Sequence, residues 1–561
     1  MPTITKKKVK GHTYYYAVQS AWMDGKSRIV WQKYLGKPED IVRAMTGEVL
    51  KPFSAKIFQF GAVAALYSFA KRLGLVELID QHAPKRQQGP SVGQYMLIAA
   101  LNRAIAPTSK RQIGQWYSST SLSRWMAVKP EQLTSQRFWD HMGYLTEEAI
   151  HRIEVGLTDR MVREFHLDLR AAIFDTTNFL TWMDTVNEAE LPQRGHNKQK
   201  RDDLRQVGLA LMTTLDFHIP LFHEVYPGNQ PDAKEFSSVV DDLVSRYQRL
   251  SGECHDIALI FDKGNNSKGN IQRVSGSVKF VGSLVPSQHP DLLSVPLGEF
   301  HSLEGSRFGG MKVYRTRKEV FGVQRTVLVT YNEALYLGQM QGLVAQLRKA
   351  NDALRELKSR LAKRVEQTRP RGTAPTKETV LAQVKEILKK PLDRIIQVTV
   401  REDNGQVLLD YEIDHDAEKT YAETYFGKNV LFTNQDEWPD SAIVCAYRGQ
   451  AAIEEAFKVM KNPHFIGWSP MYHWTDAKIR VHAFYCVLAL TLASLLCREL
   501  HHKGIEMSIP SILEELAGIY EVAHIYPSAA KQKDVFTLSE RTEAQQKLVE
   551  ALGLEEMHRA A

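Results

Sequence analysis

Two short stretches decide the fold: Leu169-Arg-Ala-Ala-Ile-Phe-Asp175-Thr-Thr-Asn178 and Asp256-Ile-Ala-Leu-Ile-Phe-Asp262-Lys-Gly-Asn-Asn-Ser267. In each, an apolar run too short for a helix reads as a buried strand and stops at an aspartate. A carboxylate at a strand terminus is rigidly held yet open to solvent, which suits a metal ligand and equally suits capping the next turn. Outward from these stretches, Gln206 to Leu215 and His218 to Tyr226 read as strands joined by Asp216-Phe217. Ala233 to Leu250 reads as a helix, and Lys279 to Leu284 as a further strand.

A third carboxylate comes from Tyr447-Arg-Gly-Gln-Ala-Ala-Ile-Glu-Glu-Ala-Phe-Lys-Val-Met-Lys461. As a helix, this segment places Tyr447, Gln450, Glu454, Lys458 and Lys461 three or four residues apart on one side. Ile453 and Phe457 offer an apolar edge to a core. The β-β-β-α-β order followed by this helix gives an α/β fold class: an RNase H-like catalytic core, with Asp175, Asp262 and Glu454 as candidate catalytic residues and metal ligands. Three converging carboxylates suit a hard cation such as Mg²⁺, with Mn²⁺ as substitute. Two such ions per site can activate an attacking oxygen and stabilise a departing one at a phosphodiester. Lys458 and Lys461 would neutralise a nearby phosphate, or simply solubilise the helix.

The chain has 561 residues, too many for one core. Residues 1–50 form a β-hairpin appendage around Asp24-Gly25, a strong turn signal. Its lysines suit either a solvated small sheet or a phosphate-contacting surface. Residues 51–165 read as a helical DNA-binding region, with helices over Ile57 to Leu75, Ser91 to Ile105 and Lys110 to Tyr117, and one capped by Thr134 or Ser135. Lys110, Arg111 and Arg137 near helix starts suit a DNA reader or plain helical packing. The core follows in two parts, 166–284 and 435–505, split by a large α+β insertion over 285–434. A C-terminal helical tail covers 506–561, its last stretch polar and loosely attached.

Within the insertion, Tyr336, Met340, Leu343, Leu347, Ala350, Leu354, Leu357 and Leu361 repeat in steps of four and three. The second helical stretch, Glu378 to Lys389, favours an intramolecular hairpin over a dimer zipper. The net charge of +7 favours a polyanionic partner. Cys254, Cys445, Cys486 and Cys497 show no Cys-x-x-Cys spacing, so neither a zinc site nor a disulfide framework is expected and a reducing cytosol fits. The apolar run from Val481 to Cys497 is short for a membrane span and reads as a core helix; no membrane is expected.

The Tyr447 segment resembles the Tyr-x2-Arg-x3-Glu-x6-Lys signature of DDE transposases of insertion-sequence family four and its relatives. Gly195-His-Asn-Lys-x-Lys-Arg, Pro220-Leu, Tyr226-Pro-Gly-Asn, Asp232, Phe261-Asp-Lys-Gly-Asn-Asn-Ser, Met471-Tyr-His-Trp and Ile479-Arg-Val-His-Ala-Phe resemble further segments of that family, in the same order. The resemblance implies a bacterial, cytoplasmic, nucleoid-associated enzyme. It would bind the terminal inverted repeats of its element, cut the strand ends and join them to target double-stranded DNA, as a homodimer in the DNA complex. It implies DNA contacts by Tyr447 and Lys461. Gln450 stands where the signature has arginine, which opens the alternative of a catalytically impaired DNA-binding descendant. The basic cluster with Lys198, Lys200 and Arg201, beside the first aspartate's strand, suits the DNA backbone or a solvated loop. No tryptophan lies between Val285 and Glu437 to hold a flipped base; Phe321, Tyr331 and Trp438 are the aromatic candidates.

Overall fold

A computed structural model describes all residues except 1, 10, 24, 46–51, 86–87, 170, 184–187, 196, 198–200, 231–233, 235, 237–238, 243–244, 246–257, 306–307, 367–373, 404–405, 527–532 and 561. Two compact units emerge. One comprises Met1–Ala64, Ser118–Trp125 and Glu515–Ala561; the other comprises Ala65–Tyr117 and Met126–Glu514.

In the first unit, β1 (Thr3–Val9), β2 (His12–Met23) and β3 (Lys26–Gly36) form an antiparallel sheet, so the lysine run itself is a strand and the expected hairpin gains a third member. A second sheet begins with β4 (Ser54–Gln59), where the sequence suggested the start of a helix. The helix starts only at Gly61.

The second unit is built on one large mixed sheet. Its strands are β5 (Ala171–Thr181), β6 (Gln193–Arg194), β7 (Arg205–Thr214), β8 (Pro220–Pro227), β9 (Ala258–Phe261), β10 (Lys279–Leu284), β11 (His301–Ser302), β12 (Lys312–Val320), β13 (Val323–Tyr331) and β16 (Lys428–Thr433). From β8 inward the order is β8-β7-β5-β9-β10. Strands β5, β9 and β10 run parallel, while β7 is antiparallel to β5 and β8 to β7. The insertion does not stand wholly apart, because β16, β13 and β12 continue this sheet antiparallel from the edge of β10.

The rest of the insertion has a core of its own. The helix Glu333–Glu366 turns Leu343, Leu347, Ala350, Leu354, Leu357 and Leu361 onto the helix Lys377–Ile387 and onto the hairpin of β14 (Ile396–Asp403) and β15 (Gln406–Ile413). The heptad seam is therefore filled from within the chain, by Val380, Val384, Val400, Val407 and Leu409 among others. Leu354 is wholly buried there. Leu354→Ala is expected to cost about 2–5 kcal/mol by cavity formation, seen as a lower midpoint in urea without a change in self-association.

Sheet faces follow from alternation. Phe174 of β5 and Phe261 of β9 point to one face, where both meet Phe236, at 5.1 and 5.2 Å between ring centroids. Ile173 and Ile260, paired across β5 and β9, point to the other. The helix Asp440–Lys461 lies on that second face.

The apolar run near the C-terminal part of the core is the helix Asp476–His502. It is long and apolar enough to cross a membrane, yet 94% of its most hydropathic window is buried inside the protein. Burial of a Leu or Phe contributes roughly 1.5–3 kcal/mol each, so this helix is a principal element of the core.

The C-terminal region departs from the helical tail expected for 506–561. The strand β17 (Tyr520–Ile525) sits between β4 and β18 (Val535–Leu538). Its Glu521 is fully buried and takes Ser121 Oγ at 3.0 Å, His558 Nδ1 at 2.8 Å and an ion pair with Arg124. A buried carboxylate needs such partners. The helix Glu543–Leu552 and Leu554 are anchored rather than loose, with the Leu548, Val549 and Leu554 side chains buried.

Candidate functional site

The two aspartates meet by register. Strands β5 and β9 pair in parallel as Ala171–Ala258, Ala172–Leu259 and Ile173–Ile260. Two residues on, the same offset sets Asp175 beside Asp262, on the face of Ile173 and Ile260. Strand β10 pairs with β9 through Gly282–Phe261, so Ser283 falls beside Asp262 on its other side. Ser283 Oγ donates to Asp262 Oδ1 at 3.0 Å, which confirms the shared face. Adjacent strands lie ~4.8 Å apart, so three polar side chains form a row across the sheet.

Asp175 is not the end of its strand, as the sequence suggested. β5 continues through Thr181, paired with β7 as far as Arg205. The polar Thr176, Thr177 and Asn178 form strand because alternate positions carry a continuing face: Asp175, Thr177 and Phe179 follow Ile173.

The Glu454 helix lies along that face. A Cβ on Gly449 would lie 2.7 Å from Ile173 Cδ1 and 2.5 Å from Leu215 Cδ1, so glycine permits the close approach. At the other end, Lys461 Nζ donates to Thr177 Oγ1 at 2.6 Å and lies 5.5 Å from the Phe179 ring. Glu454 falls between these anchors, as Asp175 falls between Ile173 and Thr177. Tyr447, two turns before Glu454, reaches Asp262 Oδ1 with its hydroxyl at 3.4 Å. Burial pushes the Tyr447 phenol up, and the charges of Asp262 and Glu454 add to this. It therefore stays a proton donor to Asp262. Gly449→Val is expected to lift the helix from the sheet and to lower the urea midpoint of unfolding, since its side chain would meet Ile173 and Leu215.

Asp262 is half-buried and Glu454 exposed, and neither is ion-paired among the described residues. The three carboxylates do not form a group within 4.8 Å of one another. That is wider than one ion's shell and compatible with two cations ~3.5–4 Å apart. Hard oxygen donors on rigid elements fit Mg²⁺.

The remaining candidates divide. Lys458 is exposed and bonded to Glu455 at 3.0 Å, which raises its pKa. Gln450 does not share the exposed side: it is buried, with Oε1 lacking a hydrogen-bond partner among the described residues. The sequence reading placed it with the DNA contacts; the helix stripe instead passes from inside at Gln450 to outside at Lys461. Arg448 lies over the Phe308 ring at 5.8 Å. Arg201 is forked onto Asp203 at 2.8 Å through both Nε and NH2, and the guanidinium holds that carboxyl below its usual range. Lys198 and Lys200, like His196 and Asp232, lie outside the described residues.

Several motif residues serve construction. Asn197 is buried and wraps the basic loop, donating to Gly195 O and Arg201 O and accepting from Arg201 N. Gly228 of the Tyr226-Pro-Gly-Asn motif leaves no room for a side chain, since its Cβ would lie 1.9 Å from Gln206 O. Arg480 ties its helix to Glu147 at 3.3 Å and Glu224 at 3.2 Å. Glu147, His151 and Glu224 are the one tight cluster of metal-ligand type among the described residues. The guanidinium already supplies positive charge there, so this cluster reads as an ion-pair network. Lys110, expected near DNA, is buried under Tyr485, with Nζ 3.0 Å from its hydroxyl. Burial lowers the Lys110 pKa well below normal, and it cannot contact a backbone phosphate.

Sequence reasoning missed Ser283 and Thr177, although strand alternation from the two aspartates carries the signal for both. It also left Trp182 unused. This exposed side chain lines a groove with Tyr472 and Trp474 just beyond the end of β5, and Trp474 stacks on Trp139 at 4.7 Å.

No protein-family model matches the chain, and no curated protein does. Among solved structures, the chain is similar to a piggyBac transposase synaptic complex with hairpin DNA, at 9% identity and TM-score 0.35 over 81% of this chain and 78% of the other. It is also similar to a Mos1 transposase paired-end complex with left transposon end, at 14% identity and TM-score 0.15 over 35% of this chain and 60% of the other. Similarity at this level carries no weight for function, which is argued from the geometry.

Proposed function

We propose that this chain is a DDE transposase, a metal-dependent enzyme of DNA strand cleavage and strand transfer. The observation that carries the reading is the register that sets Asp175 beside Asp262, with the Glu454 helix laid along the same face. The strand order β8-β7-β5-β9-β10, with β5, β9 and β10 parallel, supports an RNase H-like core. Asp175, Asp262 and Glu454 would hold Mg²⁺, or Mn²⁺ in its place, as two ions. Bound there, the ions supply Lewis acidity to the attacking and leaving oxygens. The chain's own residues fix the geometry: Tyr447 and Ser283 hold Asp262 by donating to it, and Gly449 lets Glu454 approach. Lys461 brings positive charge to the exposed end of the site. Phosphoryl transfer needs little beyond such positioning and charge. In cleavage a water oxygen bonds to phosphorus as the bond to the 3′ oxygen breaks; in joining, the freed 3′-hydroxyl oxygen bonds to a target phosphorus as that phosphorus's bond to the target strand's 3′ oxygen breaks, leaving a 3′-hydroxyl on the target. The substrate would be the terminal inverted repeats of a bacterial insertion sequence, worked on by a homodimer.

The test is incubation of the protein with duplex DNA flanking its own gene, with and without Mg²⁺, mapping nicks strand by strand. Metal-dependent nicks at the element ends support the reading, and their absence contradicts it. The burial of Gln450, with its Oε1 lacking a partner among the described residues, favours one alternative, a DNA-binding descendant with an impaired site. Specific end binding without any nick would select it.

A further inference from the structure

The charge of this protein is not spread along it. Residues 3–36 carry Lys6, Lys7, Lys8, Lys10, Lys26, Arg28 and Lys33 against the single acid Asp24, so nearly all of the net +7 resides in the N-terminal sheet. That sheet has little core: β1 is exposed along its length and β3 as far as Tyr34, with Ile4, Trp31 and Ile29 all about half exposed or more.

Register shows how the cations are aimed. Partners in antiparallel strands point to the same face. Lys6 and Lys8 pair with Tyr15 and Thr13, and Lys33 pairs with Ala17, all odd-numbered positions of β2. Trp31 joins them through Gln19. Between Gln19 and Ser20 the register shifts, leaving Val30 as an extra residue in β3. A bulge reverses the face of every residue beyond it. Lys26 and Arg28 thereby pair with Met23 and Ala21, again odd-numbered positions. Five cations thus share one face, although Lys33 differs in parity from Lys26 and Arg28 on the same strand. The opposite face holds the Tyr14, Tyr16 and Tyr34 cluster, with Lys7 5.1 Å from the Tyr16 ring.

We propose that this face is a docking surface for the backbone of double-stranded DNA, with Lys6, Lys8, Lys26, Arg28 and Lys33 against phosphates. The extent fits a duplex. Lys8 and Lys26 stand opposite Thr13 and Met23, roughly 33 Å apart along β2 at ~3.3 Å per residue, about one helical turn of B-DNA. The proposal rests on the DNA-processing reading above but uses none of its carboxylates. A binding assay in EDTA therefore fails or succeeds independently of cleavage.

The test uses the full-length protein and a fluorescent 30-base-pair duplex in EDTA, with anisotropy followed against NaCl. Each phosphate contact contributes about 0.9 to the slope of log affinity against log salt. The variant K6Q/K8Q/K26Q/R28Q/K33Q is expected to flatten the slope by about 4, whereas Lys7→Gln changes it by about 1 or less. An unchanged slope in the five-site variant overturns the proposal. So does tighter binding of single-stranded DNA than of the duplex by the unmodified protein.

Discussion

Glu454→Gln is expected to lower Mg²⁺-dependent strand cleavage by about a thousandfold or more while duplex affinity in EDTA stays within about twofold. The substitution keeps volume and hydrogen bonding and removes one negative charge from the ligand set. Several kcal/mol of transition-state stabilisation depend on cations held by that charge, and each ~1.4 kcal/mol is a factor of ten in rate. Asp175→Asn and Asp262→Asn should behave alike, since both flank the same point of the sheet. Asp262→Asn should also disturb Tyr447 and Ser283, which donate to that carboxylate. Single-turnover nicking of end-labelled duplex checks all three. Activity within tenfold of the parent in any of them contradicts the site.

The second large effect is on stability in acid. His473 is buried, and burial together with Lys110, Arg103 and Lys478 lowers its pKa to about 3. Burial lowers His218 to about 4, and His482, fully buried against Trp468 O, is lowered well below normal. The sign follows from proton counts. Below about pH 6.5 the unfolded chain protonates these imidazoles and the folded one does not, so stability falls as pH drops from that value toward the folded pKa. At pH 5 His473 and His218 together would cost on the order of 4 kcal/mol. Urea midpoints at pH 7 and pH 5 should therefore differ widely, and His473→Gln should narrow the gap. Equal midpoints at the two pH values would show that these imidazoles are not buried neutral.

Much of the site was legible in the sequence because it depends on local pattern. The apolar runs before Asp175 and Asp262 are strands, and the four-three spacing from Tyr447 to Lys461 is a helix. What was illegible depends on tertiary placement. The stretch Asp175-Thr-Thr-Asn178 reads as a polar turn, yet it is strand because β7 pairs with it along its whole length. β4 reads as part of a helix, yet it pairs with β17 from the far end of the chain. Gln450 and Lys110 carry polar groups that suggest solvent or DNA, and both are inside. For Lys110 the Tyr485 hydroxyl and ring, 4.1 Å from Nζ, replace water. The bulge at Val30 is a backbone irregularity with no residue signature, so the shared face of Lys26, Arg28 and Lys33 shows only in the register.

The central claim is that Asp175, Asp262 and Glu454 together bind divalent cations. Fe²⁺-directed backbone cleavage, with ascorbate and peroxide, tests it most directly because the chain is cut where the ion sits. We expect cuts beside Asp175, Asp262 and Glu454 that are suppressed by Mg²⁺ and absent in Glu454→Gln. Cuts confined to Glu147, His151 and Glu224, or none at all, would contradict it.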